Sequence, residues 1–129
     1  MIFDSNILIY SAEPQNASLR RLIADKAPAV SAVSYVEVLG YHRLTETDRR
    51  YFEAFFAEAR ILPLSQPVLD AAVRLRQAKN IKLGDALIAA TALLYDLTLV
   101  TRNVGDFVGI DGLRTLNPFA EGADTLPAP

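Results

Sequence analysis

The sequence predicts an α/β fold, a three-layer α/β/α sandwich around a mainly parallel sheet of four to five strands. Short apolar runs with strand composition alternate with segments whose apolar residues recur at helical spacing. The clearest strand, residues 97–101, directly follows a predicted helix over residues 82–95 that is apolar on almost every face. Strands that alternate with helices form parallel sheets covered on both faces, which predicts the sandwich.

The composition predicts one globular domain. The chain has 129 residues, of which 51% are hydrophobic and 22% charged, and this is enough for a sizeable core. We expect a cytoplasmic protein without a membrane segment, because no long apolar run or signal-peptide pattern is present. The absence of cysteine excludes disulfides and thiolate metal sites, and a single histidine leaves little material for a zinc site. With a net charge of −2, nucleic-acid binding would need a local basic patch.

Two local patterns help to place the elements. Residues 2–3 form an apolar run that stops at Asp4, so we predict a buried strand with Asp4 at its carboxyl end. Ser34 and Glu37 have the S-x-x-E spacing of a capping box, which predicts a helix that begins there and runs toward Leu44. The other predicted elements are a short helix or turn after Asp4, a helix over 18–26, a strand over 29–31, a helix over 48–59 capped by Thr47, an edge strand or extended segment over 61–64, a helix over 68–79 and a last short strand over 113–116.

We expect a single domain over residues 1–119, followed by a flexible tail over residues 120–129 in which two of the last three residues are prolines. Four acidic residues of this domain lie at strand-to-helix junctions or in first helical turns: Asp4, Glu37, Asp85 and Asp106. Ligands of parallel sheets bind at the carboxyl ends of the strands, where Asp4 and the loop after residue 101 fall. Each acid also has an ordinary explanation as a turn, cap or loop residue.

Acids gathered at one sheet edge repel each other and raise one another's pKa values unless cations are present. Oxygen ligands without cysteine or histidine suit Mg²⁺ or Mn²⁺ rather than zinc. If the four acids converge, their chemistry therefore predicts a site for a hard divalent cation.

The order and spacing of these acids resemble those of PIN domains and, within that superfamily, of VapC-type toxin ribonucleases. The resemblance extends from residue 1 to about residue 119, and Ser5 stands where the family more often has threonine. It rests on the motifs FDSN at 3–6, SYVE at 34–37, GDALIAATA at 84–92 and TRNVGDF at 101–107, and on the ending NPF at 117–119.

The resemblance implies that the four acids form a catalytic pocket. Asp4 and Asp85 would be the main metal ligands, and Asp106 and Glu37 would hold a second ion or the attacking water. The residues expected to bind metal are therefore Asp4, Asp85 and Asp106, and Glu37 is expected to be catalytic. Polar neighbours would orient the carboxylates or contact the scissile phosphate, although ordinary turn and cap roles remain open for each: Ser5, Asn6, Thr101 and Asn103.

The implied function is metal-dependent endoribonucleolytic hydrolysis of RNA phosphodiester bonds by the toxin of a toxin–antitoxin pair, with Mg²⁺ or Mn²⁺ as the cofactor. The implied partners are a VapB-like antitoxin, an RNA substrate (transfer RNA is one candidate) and a second copy of the chain in a homodimer, with no membrane. Candidate phosphate contacts lead into the predicted Asp85 helix or lie in the last acidic loop, although such charges are usually solvated surface: Arg74, Arg76, Lys79 and Lys82, and Arg102 in the loop.

Two other functions remain open. A haloacid-dehalogenase-like phosphatase would use Asp4 as its nucleophile, but such enzymes normally have a second acid two residues further on, where this chain has Asn6. A non-catalytic interaction module with a PIN fold is the other alternative. The intact set of four acids argues against this module. A metal that raises the melting temperature would favour the metal-dependent nuclease over the module.

Overall fold

The structure, a computed structural model, describes residues 1–120. Five short strands form its central sheet: β1 Ile2–Phe3, β2 Ala29–Ser31, β3 Arg60–Leu62, β4 Leu99–Val100 and β5 Thr115–Leu116. Their spatial order is β3-β2-β1-β4-β5, and every neighbouring pair is parallel. The predicted α/β class and its mainly parallel sheet are therefore confirmed. Of the predicted tail over residues 120–129, all but the first residue lies outside the described residues.

Six α-helices and one 3₁₀ turn connect the strands. They are α1 Ser5–Ser11, α2 Ala17–Lys26, α3 Ala32–Leu39, α4 Glu46–Glu58, α5 Gln66–Ala78, α6 Leu83–Leu94 and the 3₁₀ turn Val104–Phe107. Pro67 lies in the first turn of α5, where its missing N–H costs nothing. No helix within residues 1–120 combines the length and the apolar character needed to cross a membrane.

Two hydrophobic cores, one on each face of the sheet, make the three layers. Adjacent strand residues point to opposite faces, so Ile2 belongs to the core under α5 and α6, whereas Phe3 belongs to the core under α1 to α4. Helix α6 is buried continuously from Ala86 to Ala92. This burial anchors α6 against the sheet, as its apolar sequence predicted.

Two predicted helix starts are wrong. Ser34 does not cap α3, because β2 passes directly into the helix and Ser31 is the N-cap, whose hydroxyl accepts a 3.2 Å hydrogen bond from the Val33 amide. The helix also ends at Leu39 rather than continuing toward Leu44, since Gly40, a poor helix former, follows. Helix α4 begins earlier than predicted, because Thr45 rather than Thr47 is its N-cap.

Candidate active site

The strand register brings the carboxyl ends of β1 and β4 together at one edge of the sheet. Phe3 pairs with Val30 on one side and with Val100 on the other. The residues that follow β1 and β4, Asp4 and Thr101, therefore leave the sheet at the same level, whereas β2 continues to Ser31. The Asp4 amide continues the ladder by donating a 3.1 Å hydrogen bond to the Val100 carbonyl.

Asp4 combines a structural role with a place in the site. It is the N-cap of α1, and its Oδ1 accepts a 2.8 Å hydrogen bond from the Ile7 amide. Only 5% of the residue is exposed. Thr101, which is fully buried, lies beside Asp4 and accepts a 3.1 Å hydrogen bond from the Asn103 amide. The predicted turn role of Asp4 and its predicted pocket role are thus compatible.

Glu37 is held by the first turn of α1. The Ser5 hydroxyl donates a 2.7 Å hydrogen bond to Glu37 Oε1, and Ser5 Oγ lies 2.9 Å from Ser34 Oγ. Ser34 and Glu37 are one helical turn apart on α3, so both face α1. Their S-x-x-E spacing therefore serves a contact between helices and not a capping box.

Asp85 lies in the first turn of α6 and does not cap that helix, whose N-cap is Lys82. The neighbouring Gly84 allows a close approach by α3, because a Cβ atom at Gly84 would lie 2.7 Å from Glu37 Oε2. Any larger residue at this position would push against the carboxylate that Ser5 holds. The glycine therefore lets Glu37 and Asp85 share one space.

The four acids converge on one cavity of about 190 Å³. Its lining consists of Asp4, Asn6, Glu37, Lys82, Gly84, Asp85, Asn103, Asp106 and Phe107. Of the polar neighbours predicted from the sequence, Asn6 and Asn103 line the cavity. Ser5 and Thr101 do not, but both are buried and hydrogen-bond to carboxylates of the cavity, Ser5 to Glu37 and Thr101 to Asp4.

Burial raises the pKa of the Asp4 carboxyl above its ordinary value. Hydrogen bonds from the Thr101 side chain and the Ile7 amide favour the charged form and oppose this shift. The negative charges of Glu37 and Asp106 raise the pKa further. The net direction is upward, so ionised Asp4 is held at an electrostatic cost.

Asp85 shows the same pattern, with one lowering cause instead of two. Burial is the main cause of its raised pKa, followed by the charges of Asp106, Asp4 and Glu37. Only Lys82 acts in the opposite direction. Both carboxyls would therefore gain from a cation placed among the four acids.

The donor set of the cavity fits a hard divalent cation, since its acidic and amide side chains offer oxygen atoms. Within residues 1–120, no three Asp, Glu or His side chains are arranged to hold one ion by themselves. Mg²⁺ rarely uses such an all-protein cage, because it commonly binds one or two carboxylates, several waters and substrate phosphate. The cavity therefore fits an ion whose coordination is completed by water and phosphate.

Three residues of the site were missed as site residues by the sequence analysis. Ser34 was interpreted as a cap, Gly84 was noted only as part of a motif, and Phe107 was not singled out. The S-x-x-E spacing was a usable signal for Ser34, because it also places two side chains on one helix face. No signal in the sequence shows that Gly84 faces Glu37, since α3 and α6 are far apart in the chain.

A larger and mostly apolar cavity of about 660 Å³ lies between α2 and α4. Its lining includes Ile23, Ala24, Ala54 and Phe55, and none of the four converging acids. His42 is exposed and packs against the Tyr41 ring. Neither feature contributes a group to the acidic cavity.

A doubly covered parallel sheet with acids at its carboxyl edge defines the general class of this protein as an α/β domain with an acidic site. The sequence profile of the PIN domain matches residues 1–112. The chain belongs to the PIN-domain family and is of the VapC type.

Relatives of this chain are similar to it over most of their length. Ribonuclease VapC10 of Mycobacterium tuberculosis is 35% identical over 128 residues, which span 93% of each chain. Among solved structures, a toxin–antitoxin complex from Klebsiella pneumoniae contains a chain that is 31% identical, with a TM-score of 0.74 over 92% of this chain and 97% of that one. FitAcB from Neisseria gonorrhoeae is 26% identical, with a TM-score of 0.74 over 91% of this chain and 96% of that one.

Proposed function

We propose that this protein is a metal-dependent endoribonuclease that hydrolyses RNA phosphodiester bonds with Mg²⁺ or Mn²⁺, and that it is the toxin of a toxin–antitoxin pair. The observation that carries the proposal is the convergence of Asp4, Glu37, Asp85 and Asp106 in one cavity. The similarity to a ribonuclease and to a chain of a toxin–antitoxin complex supports the activity and the biological role.

In this proposal Asp4, Asp85 and Asp106 would hold the metal together with water and substrate phosphate, which complete its coordination, and Glu37 and Asp106 would hold a second ion or orient the attacking water. A divalent cation held there would supply positive charge that favours deprotonation of the attacking water and stabilises the negative charge developing on the leaving oxygen. The attacking water loses a proton to a carboxylate of the cavity and forms a bond to phosphorus, and the bond from phosphorus to the leaving oxygen breaks. That oxygen takes up a proton.

The polar neighbours orient the carboxylates and offer donors to the phosphate. Ser5 fixes the Glu37 carboxylate through its hydroxyl, and Thr101 does the same for Asp4. Asn6 and Asn103 line the cavity and can donate amide protons to a phosphate oxygen. Preorganised donors of this kind favour the transition state because they need no reorientation during the reaction.

The proposed partners follow the same relatives. We propose a VapB-like antitoxin that restrains the enzyme, a homodimer as the assembled form and a cytoplasmic location. Transfer RNA is one candidate substrate. Copurification of the chain with the product of a neighbouring antitoxin gene would test the antitoxin partner. A mass in solution twice that of one chain would test the homodimer.

The activity is tested by RNA cleavage with Mg²⁺ or Mn²⁺ and in excess chelator. We expect Asp4→Asn and Asp85→Asn each to lower cleavage by about a hundredfold or more, because the metal and the water lose their ligands. Asparagine also caps helices, so Asp4→Asn should retain the fold. Asp111→Asn is the matched control, since Asp111 is an exposed acid in the loop that follows the 3₁₀ turn and does not line the cavity. Full activity of both site variants, or cleavage in excess chelator, would refute the proposal.

The two alternatives are less well supported. A phosphatase of the haloacid-dehalogenase type would need an acid at position 6, and the cavity has Asn6 there. A non-catalytic module would show no metal response, whereas a cation that binds only the folded chain must raise its melting temperature.

A further inference from the structure

A second cavity, of about 440 Å³, opens beside the acidic one. The two cavities share Lys82, Asp85 and Asp106, so they are continuous. The second cavity is otherwise lined by the end of α5, the segment that follows it and one glycine of the 3₁₀ turn: Arg76, Lys79, Asn80, Ile81 and Gly105. We call this cavity the basic groove, because it has three cationic side chains.

The positive charge of the basic groove is not neutralised by ion pairs within residues 1–120. The salt bridges in that part of the chain use Arg49, Arg50 and Arg114 as their cations. Arg76, Lys79 and Lys82 belong to none of them. Because Lys82 also opposes the raised pKa of Asp85, its charge reaches the acidic cavity.

Four clustered acids would repel a polyanionic substrate. Binding of such a substrate therefore needs positive charge next to the acidic cavity. The basic groove supplies three cations at the mouth of the acidic cavity. Lysine and arginine attract nucleic acid mainly through its phosphates and release condensed counterions on binding. A concave space of this size suits a single strand, whereas duplex RNA is recognised over a much larger surface.

We propose that the basic groove binds the sugar-phosphate backbone of single-stranded RNA and leads it to the acidic cavity, with Lys82 at the junction. This inference rests on the proposed ribonuclease function. Among the described residues, no aromatic ring lines the groove, so bases find no stacking platform there. Phosphate contacts position a nucleic acid without reading its sequence, and the groove therefore adds affinity that depends little on sequence.

Arg76 has one competing explanation, because it lies in the last turn of α5, where a cation stabilises the helix dipole. Arg74 offers a matched comparison on the same helix. It is exposed like Arg76 but does not line the basic groove. An effect of total charge would be equal for both residues, whereas an effect of the groove would be confined to Arg76.

The first experiment measures binding of short fluorescent oligouridine and oligoadenosine to the full chain with Mg²⁺, in the cleavage-deficient Asp4→Asn background. We expect Arg76→Ala and Lys79→Ala each to raise Kd about three- to tenfold for both RNAs, and to reduce the slope of log affinity against log salt by about 0.7 per lost phosphate contact. Arg74→Ala should leave Kd and the slope unchanged, and Arg76→Lys should restore most of the affinity. Melting curves of all variants control for folding.

A second experiment adds a charge without removing any stabilising cation. A Cβ atom at Gly105 would meet no atom within 4 Å, so the groove wall has room for a side chain. Gly105→Glu should weaken RNA binding clearly more than Gly105→Gln, which adds similar bulk without charge. Equal effects of these two variants would contradict a phosphate-binding groove.

The outcomes separate this inference from the proposed function. Equal Kd values for Arg76→Ala, Lys79→Ala and Arg74→Ala, with normal cleavage by the unmodified chain, would overturn the groove and leave the ribonuclease function standing. Binding of RNA that depends on Arg76, without any cleavage by the unmodified chain in Mg²⁺ or Mn²⁺, would refute the function and retain the groove. If Arg76→Ala and Lys79→Ala lose binding to poly-glutamate but retain binding to RNA, the groove binds an acidic protein segment instead. That result would overturn the inference.

Discussion

The Ser5 hydroxyl donates a 2.7 Å hydrogen bond to Glu37 Oε1 and so joins the first turn of α1 to α3. Ser5 has only one hydroxyl proton, and a carboxylate can only accept. The Ser34 hydroxyl is therefore the donor in the 2.9 Å hydrogen bond between Ser34 and Ser5. The turn that places Asp4 at the end of β1 also orients Glu37, so one short segment positions two acids of the cavity.

Ser5→Ala should release Glu37 without removing it. We expect cleavage to fall about ten- to a hundredfold, because small displacements of a catalytic group are costly, with a loss of stability of about 1 kcal/mol. Ser5→Thr should restore activity, since it keeps the hydroxyl. The comparison is Ser11→Ala, which removes another buried hydroxyl of α1 that bonds the Leu8 carbonyl away from the cavity. Equal losses of cleavage in the Ser5→Ala and Ser11→Ala variants would mean that general destabilisation causes the effect.

Gly84→Ala should lower activity while helix α6 gains stability. The added Cβ would lie 2.7 Å from Glu37 Oε2 and displace that carboxylate. Alanine is a better helix former than glycine by about 1 kcal/mol, which offsets part of the strain. Cleavage rates and urea unfolding measure the two effects. In a double-mutant cycle, Gly84→Ala should add little to Glu37→Ala, and fully additive losses would show that Gly84 does not act through Glu37.

Asp85→Asn should raise the melting temperature of the metal-free chain at pH 7. The ordinary pKa of this carboxyl is 3.8, and burial and the neighbouring acids raise it in the folded chain. Below pH 3.8 the acid is protonated in both states and its ionisation costs nothing. As the pH rises through the interval up to the raised pKa, the unfolded chain loses its proton first, and the folded chain loses stability. The dipole of α6 favours the charge, but the upward shift shows that burial and repulsion outweigh it.

The pH series that tests this is a set of melting curves in excess chelator. The advantage of Asp85→Asn should shrink as the pH falls toward 3.8. Added Mg²⁺ should stabilise the unmodified chain more than the variant, so that the difference closes or reverses. A variant that melts like the unmodified chain at every pH and metal concentration would contradict the repulsion among the four acids.

Phe119→Ala should destabilise the chain by about 1 to 2 kcal/mol. The Arg102 guanidinium lies 4.6 Å from the Phe119 ring centroid and 5.3 Å from that of Tyr10, and the two rings meet edge to face at 5.9 Å. This cluster ties the end of the predicted domain to α1. Urea unfolding should show a clearly smaller loss for Phe119→Tyr, which keeps a ring, and for Val108→Ala at an exposed position outside the cluster. Equal losses for all three variants would exclude a specific role of the ring.

Local patterns in the sequence were sufficient for most of the fold. The apolar residues 2–3 followed by Asp4 predicted β1 and its end, and the apolar run after Asp85 predicted a buried α6. Both predictions succeeded because a segment that is buried along its length is recognisable as a continuous run of apolar residues. The four acids could also be singled out, since carboxylates at strand ends and first helical turns are readable without contacts.

The tertiary structure alone decided how those residues meet. The order β3-β2-β1-β4-β5 places Asp4 and Thr101 on neighbouring strands, and no local pattern encodes strand order. The Ser34 and Glu37 spacing fitted a capping box equally well, because one helical turn separates both kinds of pair. Packing of α3 against α1 and α6 selected the contact with Ser5 and required Gly84 opposite Glu37. Residue types and local periodicity thus determined the elements and the acids, whereas long-range packing decided which side chains share a cavity.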